Sequence, residues 1–313
     1  MRLIVTGASG FIGRNVLVRA PRDWQILATY NEASDFPAFL EQQRLMNVLP
    51  IRCDLTNQGQ VAALCGTAGK VDGALYLAAN GDPAASTRDP FRDLRLNAEA
   101  MLTFLEYCPV PHLVYLSSGA VYDGLAGTVT PESALHPHLP YAISKLAAES
   151  YVRYYAEKRR TPASYVNVRF FGAYGPYEPL RKITTRFLTA IRRGDRQFTL
   201  RGDGRNLIDF MYVDDAVDAL FRLLAAPRDT RLTVDLASGN PTSVADIVRA
   251  MAAALDHEIE IACDGATEEY IEFRSGDRTL ADRFGFVPRI GFDDGFRRLA
   301  AFVAEHQSAA VRG

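Results

Sequence analysis

Six short runs in the first 171 residues, "LIVTG", "WQILATY", "VLPIRCDL", "GALYLAAN", "HLVYLSS" and "ASYVNVRFF", are nearly unbroken in apolar residues. A strand with one wet face alternates polar and apolar residues. An unbroken one is covered on both faces, as in a parallel sheet flanked by helices. Helical patterns lie between several of the runs. In "DPFRDLRLNAEAMLTFLEYC", Asp89 is placed to cap and Pro90 suits a first turn. Phe91, Leu94, Ala98, Met101 and Leu105 then fall at spacings of 3, 4, 3 and 4, a single apolar stripe. Strands alternating with helices predict an α/β chain on a doubly wound parallel sheet.

"LIVTGASGFIG" leads from the first strand into a helix, with Gly7, Gly10 and Gly13 in Gly-x-x-Gly-x-x-Gly spacing around Phe11 and Ile12. Such a turn lets backbone approach a pyrophosphate closely, and the helix start offers free N–H groups and partial positive charge. The plain alternative is a glycine-rich turn with no ligand. Its place at the first strand of a βαβ chain favours a Rossmann-type dinucleotide site. Asp54 would accept from an adenine amino group while Leu55 packs on the ring; capping of the next turn by Asp54 is an equal alternative. At the end of the second run Tyr30 stands where an acid would bind the ribose 2′-hydroxyl of NAD. Asn31 follows, Glu32 comes late, and Arg14 adds positive charge, so NADP is expected ahead of NAD.

With 313 residues, 48% apolar and 23% charged, the chain can bury a full core. Its net charge of −2 gives no field toward nucleic acid or an anionic membrane. The four cysteines form no Cys-x-x-Cys unit or zinc-like spacing, and His136 and His138 sit alone in a proline-rich loop, so no metal is expected. Free thiols, no leader pattern and no long apolar run predict a cytoplasmic protein.

The second half reads differently. "FFGAYGPYEPLRK" is too irregular for an element and too long for a simple connector. "VDDAVDALFRLLAA" and "RLTVDLAS" are able to rejoin the first sheet. The expected division is a dinucleotide-binding domain over 1–170 plus about 208–240, and a smaller mixed substrate-binding domain over 171–207 and 241–313. "YAISK" sets Tyr141 and Lys145 one helical turn apart, either ordinary surface or a base beside its tuning cation.

Taken in order, "TGASGFIG", "CDL", "YLAAN", "YLSSGAVY", "YAISK", "VRFFGAYGP" and "FMYVDDAVDAL" resemble the extended short-chain dehydrogenase/reductase family, the NAD-dependent epimerase/dehydratase group. The resemblance spans nearly the whole chain. It implies that Tyr141 is the general acid/base, that Lys145 lowers its pKa and holds the nicotinamide ribose, and that Ser118 hydrogen-bonds the substrate oxygen. A fall of about 3 units in the phenol pKa would correspond to roughly 4 kcal/mol. Leu77, Ala78, Ala79 and Phe170 would face the cofactor, and Asn97 would either make a cofactor-side hydrogen bond or serve a plain structural role. Family members often dimerise through the helices that here span roughly 89–107 and 141–159, where Tyr151, Tyr154 and Tyr155 would suit an interface.

Beside Ser118 the chain has Gly119 and Ala120, neither able to move a proton, where the family's dehydratases, decarboxylases and 3,5-epimerases carry acids or a cysteine. The resemblance thus implies oxidoreduction at one carbinol or ketone carbon of a small molecule, a nucleotide-linked sugar. A keto-sugar reductase comes first, a 4-epimerase with tightly held NAD second, and a non-catalytic dinucleotide sensor last. Two diphosphate contacts usual in the epimerases are replaced, by Gly172 and Ile208. Lys182, Arg186 and Arg274, or Arg181 and Arg205, would compensate.

Overall fold

A computed structural model describes residues 1–265 and 271–310, with side chains to 305. Seven parallel strands form the central sheet: β1 (Arg2–Thr6), β2 (Gln25–Tyr30), β3 (Val48–Arg52), β4 (Gly73–Tyr76), β5 (His112–Leu116), β6 (Ser164–Phe170) and β7 (Arg231–Leu236). Their order across the sheet is β7-β6-β5-β4-β1-β2-β3. The order reverses between β1 and β4, and a crevice opens there outside the carboxyl ends of the strands. The fold is therefore the doubly wound, Rossmann-type sheet that the unbroken apolar runs predict.

Both faces are covered. Helices Phe11–Arg19 and Val213–Leu224 pack on one face around Val16, Leu17, Val217 and Leu220. Helices Gln58–Ala68, Ala100–Tyr107 and Pro140–Tyr154 pack on the other, around Leu64, Met101, Phe104 and Val152. Each fully buried aliphatic or aromatic side chain contributes about 1.5–3 kcal/mol through removal from water. A further core, around Phe187, Leu200, Met251 and Phe296, joins helices Ile183–Arg193, Val244–Ala254 and Phe292–Ala310. Among the described residues four short two-stranded pairs accompany it, including the parallel pairs Gln197–Leu200 with Glu260–Cys263 and Ala126–Val129 with Glu272–Ser275.

The apolar stripe expected from Phe91 to Leu105 breaks in two. Ala98, Met101 and Leu105 are buried, but Phe91 is 81% and Leu94 51% exposed. A π-helical turn, Arg95–Glu99, separates the two groups. Its wider turn rotates the start of the helix off the buried face. Tyr155 is buried as well, donating to Glu106, whereas Tyr151 and Tyr154 remain partly exposed. Among the described residues no helix is long and apolar enough to cross a membrane, and no group of three or more His, Cys, Asp or Glu is placed to hold a metal.

Candidate active site

The segments that follow β1, β4, β5 and β6 converge on the crevice. Gly7 has φ +61, and a Cβ on it would stand 2.7 Å from the Ala78 nitrogen. Leu77 and Ala78 donate their N–H groups to the Thr6 hydroxyl at 3.1 and 3.2 Å, which draws the β4 loop onto the glycine loop. Gly10 is the N-cap residue of the helix Phe11–Arg19, and its carbonyl accepts the Arg14 N–H at 2.9 Å. The N–H groups of Phe11, Ile12 and Gly13 are thus the orphan donors of the first turn. The absent Cβ atoms and the open donors fit a dinucleotide pyrophosphate.

Two cavities meet at this loop and share Gly7, Gly10, Leu77 and Ala79. The smaller, of about 340 Å³, suits an adenosine half and is lined by Asn31, Glu32, Asp54, Leu55 and Ala78. Asp54 also caps the next turn, accepting from the Thr56 N–H at 2.9 Å and hydroxyl at 2.8 Å, while lining this cavity. The expectation for Arg14 is corrected. Its guanidinium donates to the Ser9 carbonyl at 2.9 Å and pairs with Asp35 at 2.7 Å, turned over the Phe39 ring instead of into the cavity. In this arrangement the guanidinium is paired with Asp35, whose side chain is 68% exposed, and Glu32 lines the cavity wall. Arg92, Leu96 and Ala100 also line this cavity, a four-residue repeat legible as one helix face but not assigned to the site from the sequence.

The larger cavity, of about 560 Å³, brings together Gly13, Ser118, Tyr141, Lys145 and Phe170. Ser118 and Tyr141 line it side by side with the glycine loop, and the Ala120 N–H donates to Ser118 Oγ at 3.1 Å. Lys145 is buried; its ammonium donates to the Leu116 carbonyl at 2.6 Å and lies 4.6 Å from the Tyr115 ring centroid. Burial pushes the Tyr141 hydroxyl above its ordinary range; the neighbouring Ser118 hydroxyl opposes this and Asp93 adds to it. The protein alone therefore does not produce the lowered phenol pKa expected from Lys145. Burial in turn lowers the Lys145 ammonium to about 7, against the pull of Glu149 and Asp93.

For Asn97 the geometry favours the structural role over the cofactor-side one. Its oxygen accepts the Asn80 N–H at 2.7 Å, and its amide donates to Asp93 at 3.0 Å and Ser144 at 2.9 Å. Every polar atom of this buried side chain is engaged within the protein. It fastens the β4 loop to the Tyr141 helix without facing the cofactor groove.

Gly119 and Ala120 line the cavity beside Ser118. A Cβ on Gly119 would lie 3.0 Å from the Phe171 ring, so any side chain there would require that ring to give way by a few tenths of an ångström. Among the described residues, the ionisable ones that line it are Tyr141, Lys145, Arg181, Lys182 and Asp209. Asp209 is committed to the N–H groups of Ser238 and Gly239 at 2.6 and 3.1 Å. Gly172 and Ile208 line the cavity, and of the basic residues expected to compensate, Arg181 and Lys182 do so too. Lys182 exposes much of its surface, yet its ammonium is lowered by desolvation against the pull of Glu178. Arg186 instead lies over Phe198, 5.5 Å from the ring centroid. Arg274 is exposed, 3.4 Å from the Thr128 hydroxyl, because alternate residues of the strand Glu272–Ser275 face opposite ways and Phe273 takes the cavity side. Phe273 escaped sequence reasoning: no local pattern places it beside Ser118.

The family model described as "NAD dependent epimerase/dehydratase family" matches residues 3–235. The chain is 28% identical over 262 residues to the uncharacterized UDP-glucose epimerase YtcB of Bacillus subtilis (strain 168), covering 79% of this chain and 80% of that one. It is 26% identical to a dTDP-glucose 4,6-dehydratase of Streptomyces griseus, covering 98% and 95%. A UDP-glucose 4-epimerase of Thermotoga maritima, solved with UDP-glucose, superposes with a TM-score of 0.88 at 20% identity, covering 98% and 100%.

Proposed function

The chain belongs to the NAD dependent epimerase/dehydratase family, enzymes of the short-chain dehydrogenase/reductase type, and on that premise we propose that it is a 4-epimerase of a nucleotide-linked sugar working with tightly held NAD. The observation that carries this reading is a single proton-transfer pair, Tyr141 and Ser118, beside the dinucleotide loop, with Gly119 and Ala120 where elimination would need a further acid and base. The dehydratase relative therefore does not lend its reaction to this chain. Reversible removal of one hydroxyl proton at one carbon needs only this pair. A 4-epimerase regenerates its cofactor in each cycle, which suits a ribose pocket with Glu32 at its wall and Arg14 paired with Asp35.

Bound NAD supplies a hydride acceptor and a positive ring. Tyr141 takes the proton of the substrate hydroxyl and returns it. Ser118 hydrogen-bonds the same oxygen and aligns it, and Lys145 holds the nicotinamide ribose and supports the phenolate. Arg181 and Lys182 meet the diphosphate, since Gly172 and Ile208 have no polar side chain to offer it. The UDP-glucose epimerase relative and the UDP-glucose-bound fold neighbour support a nucleoside diphosphate hexose. A keto-sugar reductase is the second reading, favoured by Tyr30 at the ribose position.

Denaturing the purified protein and identifying the released nucleotide by mass spectrometry separates the two. Near-stoichiometric NAD is the expected result. A site that is empty as purified and prefers NADPH to NADH would overturn the epimerase in favour of the reductase.

The same proposal includes a homodimer and a cytoplasmic setting. The exposed Phe91, Leu94, Ile143, Tyr151 and Tyr154 lie on the two helices expected to pair, and the cysteines are free. Sedimentation should give about twice the 34.5 kDa chain mass; a single chain's mass at micromolar concentration counts against the dimer.

A further inference from the structure

Glu178 is a buried carboxylate that the proton transfer does not use. It sits in "FFGAYGPYEPLRK", the segment too irregular to read as an element. Its Oε2 accepts the Gly175 N–H at 3.2 Å, and its Oε1 accepts the hydroxyls of Thr184 and Thr185, the latter at 2.5 Å. Both threonines are buried in the first turn of the helix Ile183–Arg193. One side chain therefore ties the segment behind it to the helix ahead of it. Inside this closed loop the Lys182 N–H donates to the Pro179 carbonyl at 3.0 Å. Tyr177 is held at φ +66, a conformation that a bulky residue keeps only where its surroundings impose it, and such residues gather at ligand clamps.

The loop carries Pro179, Arg181 and Lys182 to the wall of the larger cavity. Arg181 reaches over to the segment after β4, donating to the Gly81 carbonyl at 3.0 Å and lying 3.6 Å from Asp82. Lys182 is the N-cap residue of the helix Ile183–Arg193 and makes no side-chain cap. A helix start carries partial positive charge and favours Ser, Thr, Asp or Asn, so the helix gains nothing from a lysine there. What the lysine gains is a fixed place beside the cavity.

We infer that Glu178 is a positioning residue for the substrate's diphosphate: by closing the loop onto the helix it fixes Lys182, with Arg181 beside it, at the cavity wall. The inference rests on the reading of Arg181 and Lys182 as the diphosphate's partners. A carboxylate held at a helix start also stabilises the helix. The two roles differ in what they act through, and the test separates them.

Binding of UDP is measured by calorimetry in the NAD-loaded protein, which needs no turnover. Glu178→Ala should raise the Kd for UDP about tenfold while the copurified NAD stays as it was. Glu178→Gln keeps the shape, with one acceptor and one donor for the threonine hydroxyls, and should restore most of the affinity. Thr185→Val removes one anchor and keeps the carboxylate; it should act in the same direction as the alanine variant by less, and it carries the test if that variant does not fold. In the R181M/K182M background Glu178→Ala should add less than about twofold, because the groups it positions are already gone. An unchanged Kd in a folded Glu178→Ala or Thr185→Val protein would overturn the inference, even with a lowered melting temperature. So would an effect of Glu178→Ala that persists in full without Arg181 and Lys182. A wild-type protein that binds neither UDP nor dTDP is a different result: it would sink the nucleotide-sugar reading, and this inference with it.

Discussion

Tyr141→Phe should abolish turnover of a UDP-hexose while NAD still copurifies with the protein. The variant loses one oxygen atom and keeps the ring, so the helix Pro140–Tyr154 and the walls of the cavity stay in place. What disappears is the hydroxyl that shares the cavity with Ser118, where the substrate oxygen is proposed to sit. Positioned proton transfer contributes about 10²- to 10⁴-fold, and the described residues of the cavity offer no replacement. Lys145 is turned to the Leu116 carbonyl, and Asp209 is occupied by the N–H groups of Ser238 and Gly239. A fall of about a thousandfold in kcat with an unchanged NAD content is therefore expected. Turnover within a few-fold of the parent would show that another group moves the proton. Because burial raises the Tyr141 hydroxyl in the protein alone, the wild-type acid limb should lie at lower pH with NAD bound than the apo-protein titration of that tyrosine suggests.

The second large effect is expected at Gly13. A Cβ there would stand 2.6 Å from the Ala8 Cα, the Ala8 carbonyl and the Gly7 carbonyl, all of them backbone. Nothing flexible is in the way to yield, so Gly13→Ala has to push the helix Phe11–Arg19 away from the loop. The N–H groups of its first turn then leave the place where the pyrophosphate is expected. NAD affinity should fall by a hundredfold or more, a loss of about 3 kcal/mol or greater, and the copurified cofactor should disappear. Gly66→Ala is the control. It sits in the helix Gln58–Ala68 with nothing within 4 Å of a new Cβ, and the change should leave NAD binding as it was. Equal NAD affinities in the two variants would refute the role of the glycine loop.

Much of this was legible along the chain because it is encoded within single elements. The unbroken apolar runs report two covered faces, the glycine spacing reports a turn without room for Cβ atoms, and a four-residue step puts Tyr141 and Lys145 on one helix face. Where a reading failed or stayed open, a partner from another element had intervened. Arg14 follows the loop as a free cation would, but Asp35, 21 residues later, pairs with it. Asn97 had two roles open to it, and Asn80, Asp93 and Ser144 occupy all its polar atoms. Phe91 and Leu94 keep helical spacing with Met101, and one π-helical turn still moves them into solvent.

Local periodicity and backbone sterics thus determined the sheet, the dinucleotide loop and the Tyr141–Lys145 pair, since each depends only on residues a few positions apart. Tertiary structure decided what surrounds them. Phe273 reaches the cavity only because the strand Glu272–Ser275 pairs with Ala126–Val129. Glu149 meets Ser117 across 32 residues and Arg169 across 20, because parallel strands β5 and β6 run side by side beneath one helix. Contacts of that kind depend on which crossover brings which strand alongside, and spacing along the chain does not record it.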